Sequence, residues 1–206
     1  MRIIKPSFEY IAPFDGAQIL KSIEIAGRVC YKSEEKITDT SAAEFVRRIV
    51  GRGHESVLEH EKLTFKLICD RGVSHEVVRH RMASYSQEST RYCNYSQAKF
   101  GSELTFIDPC FWEKDSQPYA LWLQSMQAAE DCYNSLIAAG AKPEEARSIL
   151  PNSLKTEIVV TMNMRELRHF LRLRTSPAAH PQMREIADAL LADLKQRIPV
   201  LFDDIG

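Results

Sequence analysis

Arg79, His80, Arg81 and Arg91 put three guanidinium groups and an imidazole in one short stretch, with the hydroxyls of Ser89 and Thr90 just before Arg91. A guanidinium is a planar fork that makes paired, charge-assisted hydrogen bonds to phosphate or carboxylate, so these residues suit an anionic ligand. A solvated basic loop bridged to Glu76 and Glu88 fits the same pattern, and both readings stay open at this point. A second basic group, Arg165, Arg168, Arg172 and Arg174, is opposed locally only by Glu166. On a helix the first three are neighbours, while Leu167, Phe170 and Leu171 form the packed side, as they would on any amphipathic surface helix. His54 follows Gly51-Arg52-Gly53 and precedes Glu55-Ser56, where an imidazole either fixes a turn or meets a cofactor ring. Arg147, taken alone, reads as a surface arginine.

Several other chemistries fail on spacing. His75-Glu76-Val77-Val78-Arg79-His80 puts arginine where a zincin helix needs its second histidine, so the two imidazoles do not share a face. Neither Gly-x-Gly-x-x-Gly nor Gly-x-x-x-x-Gly-Lys occurs, and neither Ser84 nor Ser89 sits in a Gly-x-Ser-x-Gly elbow. Tyr85, Tyr92 and Tyr95 could stack on bases, but 27 Lys+Arg against 28 Asp+Glu supply no broad basic excess for nucleic acid. The five cysteines, Cys30, Cys69, Cys93, Cys110 and Cys132, are widely spaced without Cys-x-x-Cys, which argues against a disulfide framework or zinc ribbon and for a reducing cytoplasm. No apolar run is long enough to span a bilayer, and Met1–Pro6 does not resemble a signal peptide.

The elements that must position these groups follow from periodicity and punctuation. Arg2–Ile11 reads as an opening strand, and Asp15 caps a helix over Ala17–Cys30. Thr40 or Ser41 starts a second helix, with Phe45 and Ile49 inward, that stops at Gly51-Arg52-Gly53. Leu63–Cys69 alternates as a strand covered on one face. Ser74–His80 reads as a short helix, followed by a long loop toward Phe106. Ser116 and Pro118 open the strongest helix, Gln117–Ala139, which ends at Gly140. Pro143 opens another helix that Pro151 cuts off, and Lys155–Met162 is a strand. Asn163 and Glu166 have capping-box spacing and open a helix to about Arg172, leaving Arg174 beyond its regular part. Pro181 begins a last helix through Leu194. The order suggests an α+β arrangement in one domain spanning residues 1–206.

The triplet Arg79-His80-Arg81, seven residues, then Ser89 and Arg91-Tyr92 resembles the signature of the flavin-dependent thymidylate synthases, and the string from Glu76 to Tyr92 looks like that family throughout. Gly53-His54-Glu55-Ser56 with Glu59-His60, Ala146-Arg147 before Leu150-Pro151, and Asn163-Met164-Arg165 followed by Leu171–Arg174 and His180 agree in order and spacing. The resemblance implies an α/β fold with a central, mostly antiparallel sheet flanked by helices. It also implies a homotetramer with FAD and dUMP sites shared between subunits. The reaction it implies converts dUMP to dTMP with 5,10-methylenetetrahydrofolate and FAD reduced by NADPH, releasing tetrahydrofolate.

By the same resemblance, His54, Ser56, Arg79, His80, Arg81, Gln87, Asn163, Arg165 and His169 are cofactor-binding residues. Glu76, Arg79, Gln87, Glu88, Ser89, Thr90, Arg91 and Arg147 form the dUMP pocket, and Arg174 is the arginine that polarises the pyrimidine. Gln87 stands where some relatives carry an acid, and His169 where some carry an amide. Ser89 has no neighbouring triad, so it reads as a positioning group rather than a nucleophile. The competing enzyme class attacks the pyrimidine with cysteine. Pro109-Cys110 superficially fits it, but the following Phe111-Trp112 is apolar and a buried structural cysteine is expected. A non-catalytic nucleotide-binding protein is the reading from a different class, and bound yellow flavin would separate the two.

Overall fold

The computed structural model describes residues 1–97 and 103–206, so part of the expected loop toward Phe106 lies outside the described residues. Its strands are β1 (Arg2–Ile4), β2 (Ser7–Tyr10), β3 (Lys62–Asp70), β4 (Ala83–Gln87), β5 (Thr105–Ile107) and β6 (Lys155–Asn163). Its helices are α1 (Gly16–Tyr31), α2 (Ser41–Gly51), α3 (Arg71–Val77), α4 (Gln117–Ala138), α5 (Pro143–Ala146), α6 (Met164–Arg174), α7 (Pro181–Arg197) and α8 (Pro199–Phe202). This is the expected mixed α/β fold, with a central four-stranded sheet in the order β2-β3-β6-β4. Two of its pairings are antiparallel, as expected. Glu9 meets Lys66 while the Ile11 N–H reaches the Thr64 carbonyl, so one strand rises in number as its neighbour falls. The same inverse numbering joins Thr64 to Thr161 and Arg71 to Leu154.

Backbone contacts group into two compact units. One comprises Met1–Phe8, Leu67–Arg79 and Ser86–Val159; the other comprises Glu9–Lys66, His80–Tyr85 and Val160–Gly206. In the first, β1 pairs in parallel with β5, and Phe106, Tyr119, Trp122, Met126 and Tyr133 are buried together. In the second, α1 packs on α2 and α6 packs on α7 and on the short helical turn Glu55–His60. The alternation read in β3 is realised: Leu63, Phe65, Leu67 and Cys69 are all buried. Asp15 caps α1 through a 2.8 Å bond from the Ala17 N–H.

Five local expectations are corrected. The opening strand is two strands interrupted at Lys5-Pro6, where proline has no N–H to give a ladder. The helix expected over Ser74–His80 starts at Arg71, because the Asp70 carboxylate accepts from the Val73 N–H at 2.6 Å, and it ends at Val77. The expected loop contains β4, and Arg174 is the last residue of α6 rather than past it. Cys110 is exposed, not buried.

Candidate flavin and nucleotide site

The junction of β6 and α6 positions several residues expected on the cofactor side. Asn163 accepts the Glu166 N–H at 2.8 Å and the Met164 N–H reaches the Glu61 carbonyl at 2.9 Å, so two of the orphan donors of the first turn are satisfied. Only half of the expected capping box forms, because the Glu166 carboxylate turns to His80. Met164, Leu167, Phe170 and Leu171 are fully buried and fix the rotation of the helix, leaving Arg165 and His169 exposed. Arg168 belongs to neither a solvated face nor a ligand site. It is wholly buried, forking onto Asp204 at 2.7 and 2.8 Å and reaching Glu55 and the Leu201 carbonyl.

His80 is 5% exposed, with its ring edge-on to Phe170 at 5.0 Å and to His169 at 5.7 Å. Arg174 Nε lies 3.1 Å from His80 Nε2, and Glu166 Oε1 lies 3.0 Å from His80 Nδ1. Arginine can only donate, so Nε2 is the bare nitrogen and Nδ1 carries the proton that is given to Glu166. Burial lowers the pKa of His80, and the Arg174 charge works in the same direction against the Glu166 bond, so the ring is neutral near pH 7. The Tyr85 hydroxyl donates to the His80 carbonyl at 2.5 Å and is itself pushed up to about 12 by burial. His80, Glu166 and His169 also offer three ligand atoms within 4.8 Å of one another, but both His80 nitrogens are already committed and Arg174 opposes a cation there.

Two clefts open in the same unit, and Glu166 of this chain of side chains lines the second. One, of about 410 Å³, is lined by Gly27, Ile49, His54, Ser56 and Arg165; the other, of about 370 Å³, by Met82, Asn163, Arg165, Glu166 and His169. Arg165 lines both. Gly53, with φ 71°, allows the turn that brings up His54, whose Nδ1 lies 3.0 Å from the exposed Tyr31 hydroxyl. Arg165 is held by Glu59 at 2.6 Å, and both side chains are about half exposed, so the pair costs little to exchange for another anion. Arg81 is exposed. An apolar, ring-sized cleft joined to a polar one through a releasable guanidinium fits a flavin nucleotide.

The remaining expected residues fall in the other unit. Gln87 donates to Ser74 at 2.8 Å and to Thr156 at 3.2 Å, and Glu88 is bound by Lys155 at 3.0 Å and by the Tyr95 hydroxyl at 2.9 Å. Ser89 starts a tight turn whose carbonyl accepts the Tyr92 and Cys93 N–H groups, with Thr90 buried. Arg91 pairs with Glu144 at 2.9 Å, and that carboxylate is held below its usual range first by Arg91 and, more weakly, by Lys142 and Arg147. Arg91 and Arg147 therefore stand by one carboxylate that a phosphate could replace. Glu76 is half-buried on α3 and Arg79 is exposed just after it. Sequence reasoning missed the roles of Glu166, Tyr31 and Gly27. The capping spacing pointed Glu166 at its own helix, and nothing local marked the other two.

The family model described as thymidylate synthase complementing protein matches residues 16–200. A flavin-dependent thymidylate synthase from Pyrococcus furiosus is 38% identical over 185 residues, covering 86% of this chain and 75% of its own. One from Geobacter sulfurreducens is 36% identical over 192 residues, covering 90% and 81%. The crystal structure of a UMP/dUMP methylase, PolB from Streptomyces cacaoi, bound with 5-Br dUMP, superposes with a TM-score of 0.78 at 23% identity, over 98% of this chain and 96% of that one. At that identity the likeness speaks to the fold.

Proposed function

Because the chain belongs to the thymidylate synthase complementing protein family, among the flavin-dependent thymidylate synthases, we propose that it converts dUMP to dTMP. In this reading 5,10-methylenetetrahydrofolate supplies the one-carbon unit, NADPH is the reductant, FAD is the bound cofactor, and tetrahydrofolate leaves. The observation that carries the reading is the Glu166–His80–Arg174 chain, which holds a guanidinium on a neutral, buried imidazole among the residues suited to flavin. Bound flavin, once reduced, supplies a hydride.

The chain's own residues do the rest. His54 and Ser56 face the ring-sized cleft, while Asn163, Arg165 and His169 offer donors to the polar remainder of the cofactor. Arg91 and Arg147 take the nucleotide phosphate in exchange for Glu144, helped by the N–H groups near Ser89 and Thr90. The Arg174 guanidinium stabilises negative charge that develops on the pyrimidine as its C5 becomes nucleophilic. Sites completed by neighbouring subunits of a homotetramer are part of the proposal.

The test is an anaerobic assay with dUMP, 5,10-methylenetetrahydrofolate, NADPH and added FAD, identifying both products. dTMP with tetrahydrofolate is expected. dTMP with dihydrofolate would mean that the folate, not the flavin, gave the hydride; no dTMP from folded, flavin-bound protein would remove the assignment.

A further inference from the structure

A wider cleft of about 630 Å³ is lined by α1, by the segment that follows it and by α2. Its wall carries Phe45, with Arg28 and Arg48 stacked at 4.6 and 5.7 Å from the ring centroid. Arg28 is neutralised from behind by buried Glu24 at 2.7 Å. Lys36, Arg48 and Arg52 also line the cleft, and among the described residues none of these three has a carboxylate partner. Glu44 is the one acid in the lining, and Ser33, Thr38 and Thr40 add hydroxyls. Arg48 lies in the last turn of α2 and Arg52 caps its C-terminus four residues on.

The placement of this cleft gives the cations a use. Tyr31, Ile49 and His54 line both it and the ring-sized cleft of the cofactor site. The reacting folate must meet the flavin ring, so a folate beside His54 can lay its flexible anionic tail into the cleft that holds Lys36, Arg48 and Arg52. The cleft offers three exposed cations on separate side chains, which a chain bearing several carboxylates can engage one by one.

We propose that this cleft is a subsite for the oligo-γ-glutamate tail of the folate co-substrate. The inference rests on the folate-dependent reaction proposed above and extends it to chain length: the protein discriminates folates by their tails. Each exposed cation–carboxylate contact is weak, and together they make a pentaglutamate bind about tenfold tighter than a monoglutamate at low salt. The advantage shrinks as ionic strength rises, since the contacts are solvent-screened.

Equilibrium titration of the FAD-loaded protein with tetrahydrofolate monoglutamate and pentaglutamate tests this, in the wild type and in Arg48→Glu/Arg52→Glu. The expected result is a ratio of dissociation constants near ten in the wild type that collapses to about one in the variant, with FAD retention and helix content matching the wild type. Both folates binding equally to the wild type would overturn the tail subsite while leaving the proposed reaction intact. Neither folate binding would overturn that reaction and the subsite with it. NADP⁺ is titrated in parallel: weaker NADP⁺ binding in the variant, with the pentaglutamate preference kept, would assign the cations to a 2′-phosphate and refute the proposal. A Lys36→Glu single variant that retains part of the preference guards against a folding defect in the double variant.

Discussion

Arg168→Met would remove the one fully buried cation of α6 while keeping the unbranched apolar stem of the side chain. The substitution deletes two bonds to Asp204 at 2.7 and 2.8 Å, two to Glu55 at 3.2 and 3.3 Å, and the donor to the Leu201 carbonyl. Breaking a buried charge pair from one side costs about 3–5 kcal/mol. The lower end applies here, because Asp204 and Glu55 retain some water contact and Arg172 still reaches both at 3.1 and 3.4 Å. A loss of about 3 kcal/mol lowers the melting temperature of a chain this long by roughly 6–12 °C. Scanning calorimetry of both proteins at pH 7 measures it directly. The pH dependence supplies a second arm. Arg168 holds the Asp204 carboxyl below its usual range, so this contribution is complete above the unfolded value of about 3.9 and is lost as pH falls through the lower folded value. The gap between the two proteins should thus narrow below about pH 4. Melting temperatures within about 2 °C of each other at pH 7 would refute the assignment of Arg168 as a structural clamp.

Glu166→Gln keeps the shape but removes the charge facing His80 Nδ1, so the imidazole becomes harder still to protonate and Arg174 loses part of its support; flavin should stay bound while the dUMP-dependent oxidation of reduced flavin slows by about tenfold. Arg174→Lys keeps the charge without the fork, and stopped-flow should show that oxidation slowed by roughly two to three powers of ten, with dUMP binding much less affected. Because burial lowers the His80 pKa, the unfolded chain takes up a proton that the folded ring refuses; stability should decline as pH falls below about 6.5, and His80→Gln should flatten that part of the urea-unfolding profile. Cys110→Ser should leave turnover within about twofold in a steady-state assay, since an exposed thiol has little packing to lose and no step uses it; abolished turnover with FAD and dUMP still bound would favour the cysteine mechanism.

Much of this was legible because the local chemistry was strong. Alternating Leu63, Phe65 and Leu67 identified β3, Asp15 announced α1, and the Asn163 spacing marked the hand-over from β6 to α6. β4 was not legible: Ala83-Ser84-Tyr85-Ser86-Gln87 is short and polar, and it is a strand through its pairing with β6. The two basic groups illustrate a different limit. Helical periodicity could align Arg165, Arg168 and Arg172, but it could not say that Asp204, far along the chain, would cover the middle one. The same distance hid Glu166 and Arg174, which meet on His80 from the opposite part of the sequence.

Gly27 lines the ring-sized cleft, and a methyl group built on it would lie 2.6 and 2.7 Å from two atoms of the Phe45 ring, closer than carbon atoms approach. Phe45 is the ring that carries Arg28 and Arg48 in the wider cleft. The smallest possible enlargement at position 27 therefore narrows one cleft and displaces the cationic stack of the other in a single move. For anyone reshaping the protein toward new ligands, or for drift acting on it over generations, the two clefts are not separate traits: any side chain at position 27 obliges the Phe45 ring to move, and both clefts change with it.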